Sequence, residues 1–343
     1  MKHLLNTLYV TTQGAYLSRE GETVRVSVEK EVKLSLPVHT IGSIVCFGQV
    51  MMSPPLMGLC AERGITCVFL TEYGKFLARV EGPTRGNVLL RREQYRKADD
   101  ESFSASIARA VVVAKIANAR QVLMRTARES SCEEDVKALD SVTTRLARLM
   151  DETKTTLPLD AVRGKEGDAA RMYFEVFDRL ILTQKEEFFF RGRNRRPPLD
   201  NMNALLSFLY TLVVHDCRSA LEGVGLDPSV GYLHVDRPGR PSLALDLMEE
   251  LRPVVADRLA LTLVNRQQVK GKGFRKTESG AVAMDDETRK VVLVAYQERK
   301  REEIVHPFID EKIAYGLLPH VQAMLFARYL RGDIDGYPPY FWR

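Results

Sequence analysis

"FLARVEGPTRGNVLLRREQYRK", residues 76–97, holds the point at which the grammar of the chain changes. On its left lies a short β-prone run, and on its right an amphipathic helical pattern that continues almost to the end. Between them "EGPTRGN" (81–87) combines Pro and two Gly, a composition that turns or breaks both kinds of element. We place a domain boundary here: residues 1–85 form one domain and residues 86–343 another.

Upstream, "LLNTLYVTT", "AYLSREG", "TVRVSVE", "VKLSLPV", "TIGSIVCFG" and "ITCVFLTE" are short, rich in β-branched residues and bounded by Gly, Glu-Gly or Pro. In "TVRVSVEKEVKLSLP" apolar and polar residues alternate, as in a half-buried antiparallel pair. One helix, "SPPLMGLCAERG", opens with a serine cap and first-turn prolines and closes at glycine. Downstream, helical periodicity predicts segments near 88–98, 102–127, 133–150, 164–182, 200–222, 242–266, 284–303 and 310–331. Charge, glycine and proline accumulate at 183–198 and 267–283, which read as the least ordered stretches. The expected fold is α+β in two domains: a small N-terminal antiparallel β domain, then a larger all-α C-terminal domain.

The 343 residues suffice for two such cores. Apolar residues are 45% and charged residues 28% of the chain, as in soluble globular proteins. No run is apolar and long enough for a membrane span, and the N-terminus carries no export signal. The five cysteines (Cys46, Cys60, Cys67, Cys132, Cys217) are scattered without a CxxC pair, which excludes a disulfide framework and fits the cytoplasm. The net charge of +5 says less than its placement. Basic groups cluster in "RREQYRK" (91–97), "RGRNRR" (191–196), "KGKGFRK" (270–276) and "ERKR" (298–301), either solvated faces or a footprint for a polyanion. "EEFFFRGRNRRPPLD" sets three phenylalanines beside arginines: a loop anchored by Phe on the core, or a stacking surface for bases. No P-loop, GxSxG or HExxH spacing occurs.

Two stretches carry acids in unusual places. In "LDAVRGKEGDAARMYFEVFDRLIL", a helix begun near Gly164 would align Glu166 with Ala169, Ala170, Tyr173 and Phe177, within the apolar stripe. A carboxylate there is either a first-turn acid on the helix amides or a paired or metal-bound group. In "GYLHVDRPGRPSLALDLMEELRP" (231–253), Ser242 is a candidate N-cap, and Asp246, Glu249, Glu250 and Asp257 share the face opposite the apolar stripe. By itself that face reads as solvated, and a lone His234 as structural. Together, Glu166, His234 and an acid make a hard donor set with one imidazole, suited to Mn²⁺ or Mg²⁺; beside a polyanion-binding surface that suggests phosphodiester chemistry.

"RGKEGDAARMYF", "RRPPLDNMNALLSFLYTLVVHDC" and "GLDPSVGYLHVDRPGRPSLALDLMEELRPVVADRL", in this order behind a β-rich start, resemble the CRISPR-associated integrase-endonuclease of spacer acquisition, the Cas-one family. The resemblance covers essentially the whole chain, and "LLNTLYVTTQGAYLSREG" is most similar to the I-C subtype. It implies a β domain and a helical domain, a homodimer formed on the β side, and Mn²⁺- or Mg²⁺-dependent cutting and joining of double-stranded DNA. It also implies assembly with the small Cas-two protein to insert foreign fragments into a CRISPR repeat array. The family's metal ligands fall on Glu166, His234 and Glu249, and its assisting acid on Asp246; all four are expected to be catalytic. For DNA contact the basic clusters nominate Arg191, Arg193, Arg195, Arg196, Lys270, Lys272, Arg275 and Lys276. Two other readings stay open: a free-standing divalent-metal nuclease for branched or repair DNA, and a non-catalytic DNA-binding scaffold.

Overall fold

The computed structural model describes residues 6–72, 74, 76–80, 82, 88–194 and 197–342. The chain divides into two compact units, Met1–Arg85 with Met284–Glu302, and Gly86–Ala283 with Glu303–Arg343. The first unit carries strands β1 (Asn6–Val10), β2 (Tyr16–Glu20), β3 (Thr23–Val28), β4 (Glu31–Pro37), β5 (Ile41–Phe47) and β6 (Met51–Met52), helix α1 (Pro54–Arg63), then β7 (Thr66–Leu70) and β8 (Phe76–Val80). One sheet has the order β4-β3-β2-β6 and the other β1-β5-β7-β8. The alternating stretch forms the antiparallel β3–β4 hairpin as expected; its tip, Glu29-Lys30, has φ of 52° and 69°, the left-handed pair that matches strand twist.

The antiparallel expectation fails in both sheets: in the first the short β6 runs parallel to β2, and the second departs further. There β1 pairs with β5, and β5 with β7, in parallel; only β8 runs against its neighbour. The reason is topological. The chain leaves β1 to build β2–β4 and leaves β5 to build β6 and α1, and both excursions are long enough for a parallel return. Leu17, Val24, Ile44, Leu56, Cys60 and Cys67, drawn from both sheets and α1, lie in one buried core. Helix α1 is bounded as read: Ser53 Oγ accepts from the Leu56 amide, and Gly64 ends it at φ 68°.

The second unit is built on α2 (Val88–Ala98), α3 (Glu101–Glu129), α4 (Glu133–Thr153), α5 (Leu159–Glu175), α6 (Asn201–Gly223), α7 (Ser242–Arg252) and α8 (Arg258–Asn265). A ribbon of β9 (Phe274–Lys276) and β10 (Val282–Met284) follows; then α9 (Asp286–Arg301), β11 (Glu303–Val305), β12 (Lys312–Ala314) and α10 (Leu318–Leu330). Helix α9 groups with the first unit, where Gln297 donates to the Thr7 carbonyl (3.1 Å) and Arg301 to Asn6 Oδ1 (3.0 Å). The segment beyond residue 85 is thus helical but not all-α. The β11–β12 hairpin occupies 303–314, where helix was predicted from 310, because "HPFID" interrupts the periodicity.

The loops at 183–194 and 267–283 pack against each other. Phe188 and Phe190 are buried, Phe188 meets Phe274 edge-on at 5.3 Å, and Glu187 accepts from the Gly271 amide (3.0 Å). A Cβ on residue 271 would lie 2.4 Å from Glu187 Cδ, so only glycine allows that approach. Phe189 alone remains exposed, with the Arg191 guanidinium 5.1 Å from its ring.

Helix α3 packs against α4, α5 and α7, and α7 also against α6 and α10. The arrangement surrounds α7 with protein on all sides, which decides the environment of its acids. Between α7 and α8 the helix widens into a π-turn at Pro253–Asp257. Pro253 has no N–H to return to the Glu249 carbonyl, so the α ladder opens there.

Candidate metal centre

Helix α5 starts at Leu159 rather than near Gly164, so Glu166 is a mid-helix residue and not a first-turn acid. Its carboxylate is 29% exposed and contacts Nζ of Lys115 on α3; Lys115, itself 5% exposed, also lies 2.6 Å from Glu249 Oε2 on α7. Glu249, 5% exposed, is flanked in turn by Arg252, 3.3 Å away and one turn on. Two helices, α5 and α7, thus each deliver a carboxylate to one ammonium group on a third, α3. Burial alone would push the Glu249 carboxyl up, but Arg252, Lys115 and His234 outweigh it and hold it down at about 2. Glu249 is therefore ionised throughout the neutral range.

His234 sits in the loop before α7, and Asp246 fixes it. The Asp246 carboxylate, 1% exposed, accepts the backbone N–H groups of Tyr232 (2.6 Å), Leu233 (3.0 Å) and His234 (2.9 Å) and contacts His234 Nδ1 at 2.7 Å. With Nδ1 so engaged, Nε2 is the ring atom left to meet a ligand. The loop is clamped at three further points. Arg163 donates to the Leu233 carbonyl (2.8 Å), Gln94 accepts from the Asp227 amide (2.9 Å), and Tyr232 donates its hydroxyl to the Gln94 carbonyl (3.1 Å). Gly231 is required by packing: a Cβ there would fall 2.6 Å from Ser242 Cβ. Ser242 is the first residue of α7 rather than its cap. Its hydroxyl donates to the Val235 carbonyl (3.2 Å), and the Pro228 carbonyl takes the free amides of Leu243 and Ala244.

Asp246, Glu249, Glu250 and Asp257 do not form a solvated face; Glu250 and Asp257 are only 0% and 1% exposed. Asp257, on the π-turn, accepts from Tyr210 Oη (2.6 Å) beside Arg252, whose guanidinium lies 5.1 Å from the Tyr210 ring. Burial pushes the Asp257 carboxyl up against the pull of Arg252 and Tyr210. Glu250 belongs to a separate network. It accepts from Gln322 Nε2 (3.0 Å), the Tyr337 hydroxyl and the Tyr340 amide. Asn118, one turn from Lys115, donates to the Glu250 and Tyr340 carbonyls (2.7 and 2.8 Å).

Complete burial with no ion-pair partner pushes the Glu250 carboxyl up to about 7 despite those donors. Its folded-state value lies above the unfolded one, so the stability it adds is full below about 4.5 and is lost as pH rises through about 7, by at most about 3 kcal/mol. Between pH 5 and 8 the unfolding temperature should fall more for the unmodified protein than for Glu250→Gln. Parallel pH profiles of the two would remove Glu250 as the cause.

As the side chains stand, no three His, Cys, Asp or Glu residues are set to hold a metal ion among the described residues. The position between Glu166 and Glu249 is taken by the Lys115 ammonium. The donors nevertheless suit a hard divalent ion: the two carboxylates already converge on a cation, and His234 lies close enough to act on the charge of Glu249. Lys115 and Arg252 were missed in the sequence. The signal was there for Lys115, a charge on the apolar stripe of Ala108, Val112, Ala119 and Val122; for Arg252 there was only its spacing of three from Glu249.

Of the residues nominated for DNA contact, Arg191, Lys270, Lys272, Arg275 and Lys276 are exposed on the two interlocked loops. Arg193 is not presented to a ligand: its guanidinium donates to the Asn194 carbonyl (2.6 Å), Asn203 Oδ1 (2.7 Å) and Ser207 Oγ (3.0 Å). Arg195 and Arg196 lie outside the described residues.

A β-rich unit preceding a helical unit, with a carboxylate pair and an oriented histidine on a charged, helix-bound site, defines the class: an α+β protein with a charged residue cluster in its helical unit. The family pattern described as CRISPR associated protein Cas1 matches residues 8–298. The chain is 54% identical, over 100% of both sequences, to a CRISPR-associated endonuclease Cas1 of Chlorobaculum tepidum. Its fold matches that of a Cas1 protein from Thermotoga maritima with a TM-score of 0.82 at 25% identity, covering 95% of this chain and 97% of that one. It also matches a chain of a Cas6-RT-Cas1–Cas2 complex, with a TM-score of 0.82 at 21% identity over 100% of this chain and 36% of that one. The chain belongs to the Cas1 family of CRISPR-associated endonucleases. No helix is long and apolar enough to cross a membrane among the described residues.

Proposed function

We propose that the protein is a divalent-metal-dependent DNA endonuclease and integrase of CRISPR adaptation, joining the 3′-hydroxyl of a foreign DNA fragment to a phosphodiester of the repeat array. The observation that carries this reading is the convergence of Glu166 and Glu249 on one cation beside His234, in a chain of the Cas1 family. Glu166, Glu249 and His234 Nε2 would hold Mn²⁺ or Mg²⁺. When bound, such an ion supplies Lewis acidity and charge for in-line attack on a phosphodiester. Asp246 is a positioning residue: it sets the ring of His234 and has its acceptor sites filled by the 232–234 backbone. Arg252 neutralises Glu249 from behind and keeps that carboxylate ionised.

The partners follow from the family and its neighbours: a second copy of the chain, the small Cas2 protein and double-stranded DNA. The opening stretch favours the I-C subtype. Glu166→Ala tests the site. It should abolish divalent-dependent cleavage and joining of a short duplex to a repeat-containing plasmid while DNA binding persists. Activity surviving that substitution would leave the scaffold reading in its place. Running the joining assay with and without Cas2 separates the integrase from a free-standing nuclease.

Arg191, Lys270, Lys272, Arg275 and Lys276 are the proposed DNA contacts, now without Arg193. Each phosphate contact releases counterions, so neutralising Lys270, Lys272, Arg275 and Lys276 together should make the slope of log K against log salt shallower by about 3.6. An unchanged slope would move the DNA to another face.

A further inference from the structure

We infer that Lys115 is the resident counter-ion of the Glu166–Glu249 site, and that a divalent ion enters by exchange with its ammonium. This rests on the proposed reading that those two glutamates hold the metal. The Lys115 side chain rises from a buried stretch of α3, Val111 to Ile116, yet its Nζ bridges Glu166 and Glu249, the latter at 2.6 Å. Burying an ammonium among valines is costly unless the pairing is close, and here two carboxylates supply it.

The charge count favours exchange over addition. Among the groups in direct ion-pair contact, two carboxylates face two cations, Lys115 and Arg252, so those contacts are balanced as they stand. Adding a divalent ion with both cations in place would leave two uncompensated positive charges in a largely buried site. Withdrawing the Lys115 ammonium leaves one, which a single phosphodiester anion neutralises. Glu249 Oε2 is buried, and both cations reach it, Lys115 at 2.6 Å and Arg252 at 3.3 Å. In the metal-free protein Lys115 keeps the repelling carboxylates together; with metal present it is a competitor. Lys115 is a positioning residue, since it acts through the ligands.

Lys115→Met in the full-length protein separates this role from ordinary packing. Free Mn²⁺ is followed by its paramagnetic resonance signal during titration, and thermal unfolding is recorded with and without Mn²⁺. Removal of the competitor should tighten Mn²⁺ binding at least ten-fold. It should also lower the metal-free unfolding temperature and enlarge the rise that Mn²⁺ produces. Mn²⁺ binding that is equal or weaker in Lys115→Met than in the unmodified protein would overturn the exchange. Absence of Mn²⁺ binding to the unmodified protein would instead overturn the metal reading beneath it. If Lys115→Met does not fold, the unmodified protein carries the test: acetylation of Lys115 by acetic anhydride, read by mass spectrometry, should accelerate when Mn²⁺ is bound. Unchanged labelling would contradict the inference.

Discussion

Glu249→Gln should reduce divalent-dependent strand transfer about a thousand-fold, equivalent to about 4 kcal/mol in the barrier. Gln preserves the shape of the side chain and removes its charge. Because Glu249 is held at about 2, the charge is present at every working pH, and no adjustment of pH rescues the variant. The same change leaves Arg252 buried without its carboxylate and Lys115 with Glu166 alone. Breaking a buried pair in this way costs about 3–5 kcal/mol. Stability and activity should therefore fall together, and activity must be assayed well below the variant's unfolding midpoint. The stability that Glu249 contributes is present above the unfolded value near 4.5 and lost as pH falls through about 2, a window apart from that of Glu250. An active Glu249→Gln protein would remove this residue from the ligand set.

Asp246→Ala is the second large effect, and it works through His234. The Asp246 carboxylate, itself buried, takes three backbone N–H groups and one imidazole nitrogen. Leaving such donors unsatisfied costs about 1–3 kcal/mol each before the loop relaxes, so a net loss of about 3–5 kcal/mol is expected in denaturant unfolding. Residual activity should be low even where the variant is folded, because the ring of His234 loses its orienting partner. Asp246→Asn keeps one acceptor oxygen and should recover part of the stability but little of the activity. A metal-ligand role for Asp246 gives the opposite pattern, with Mn²⁺ affinity lost and loop stability retained. Midpoints equal to that of the unmodified protein for Asp246→Ala would show that the loop is held elsewhere.

Legibility in the sequence followed the strength of local patterning. The change from strands to helices was plain in composition around residues 81–87, and the β3–β4 hairpin in its alternation. Pairing direction was not legible, since β1, β5 and β7 are short apolar runs whose parallel partners lie across long excursions. The same limit applied to α7. A helical wheel shows that Asp246, Glu249, Glu250 and Asp257 share a face, but not that neighbouring elements cover it. Once they do, each acid needs its own partner: backbone amides for Asp246, Lys115 and Arg252 for Glu249, the 337–340 segment for Glu250, and Tyr210 for Asp257. Those partners are between 3 and 134 residues distant, and no periodicity links them. Local oddness only drew attention to Glu166, an acid on an apolar stripe, while His234 by itself read as structural; the family resemblance is what nominated both as ligands. Lys115 was equally odd and lay in the longest helix, where its neighbours made it look like ordinary core.

The most direct test of the metal centre is a crystal of the full-length protein soaked in Mn²⁺, with anomalous differences measured at the manganese edge. One strong peak is expected within coordination distance of a Glu166 oxygen, a Glu249 oxygen and His234 Nε2, with the Lys115 ammonium withdrawn from between the two carboxylates. A peak away from these residues, or an ordered Lys115 bridge with no peak beside it at saturating Mn²⁺, would contradict that expectation.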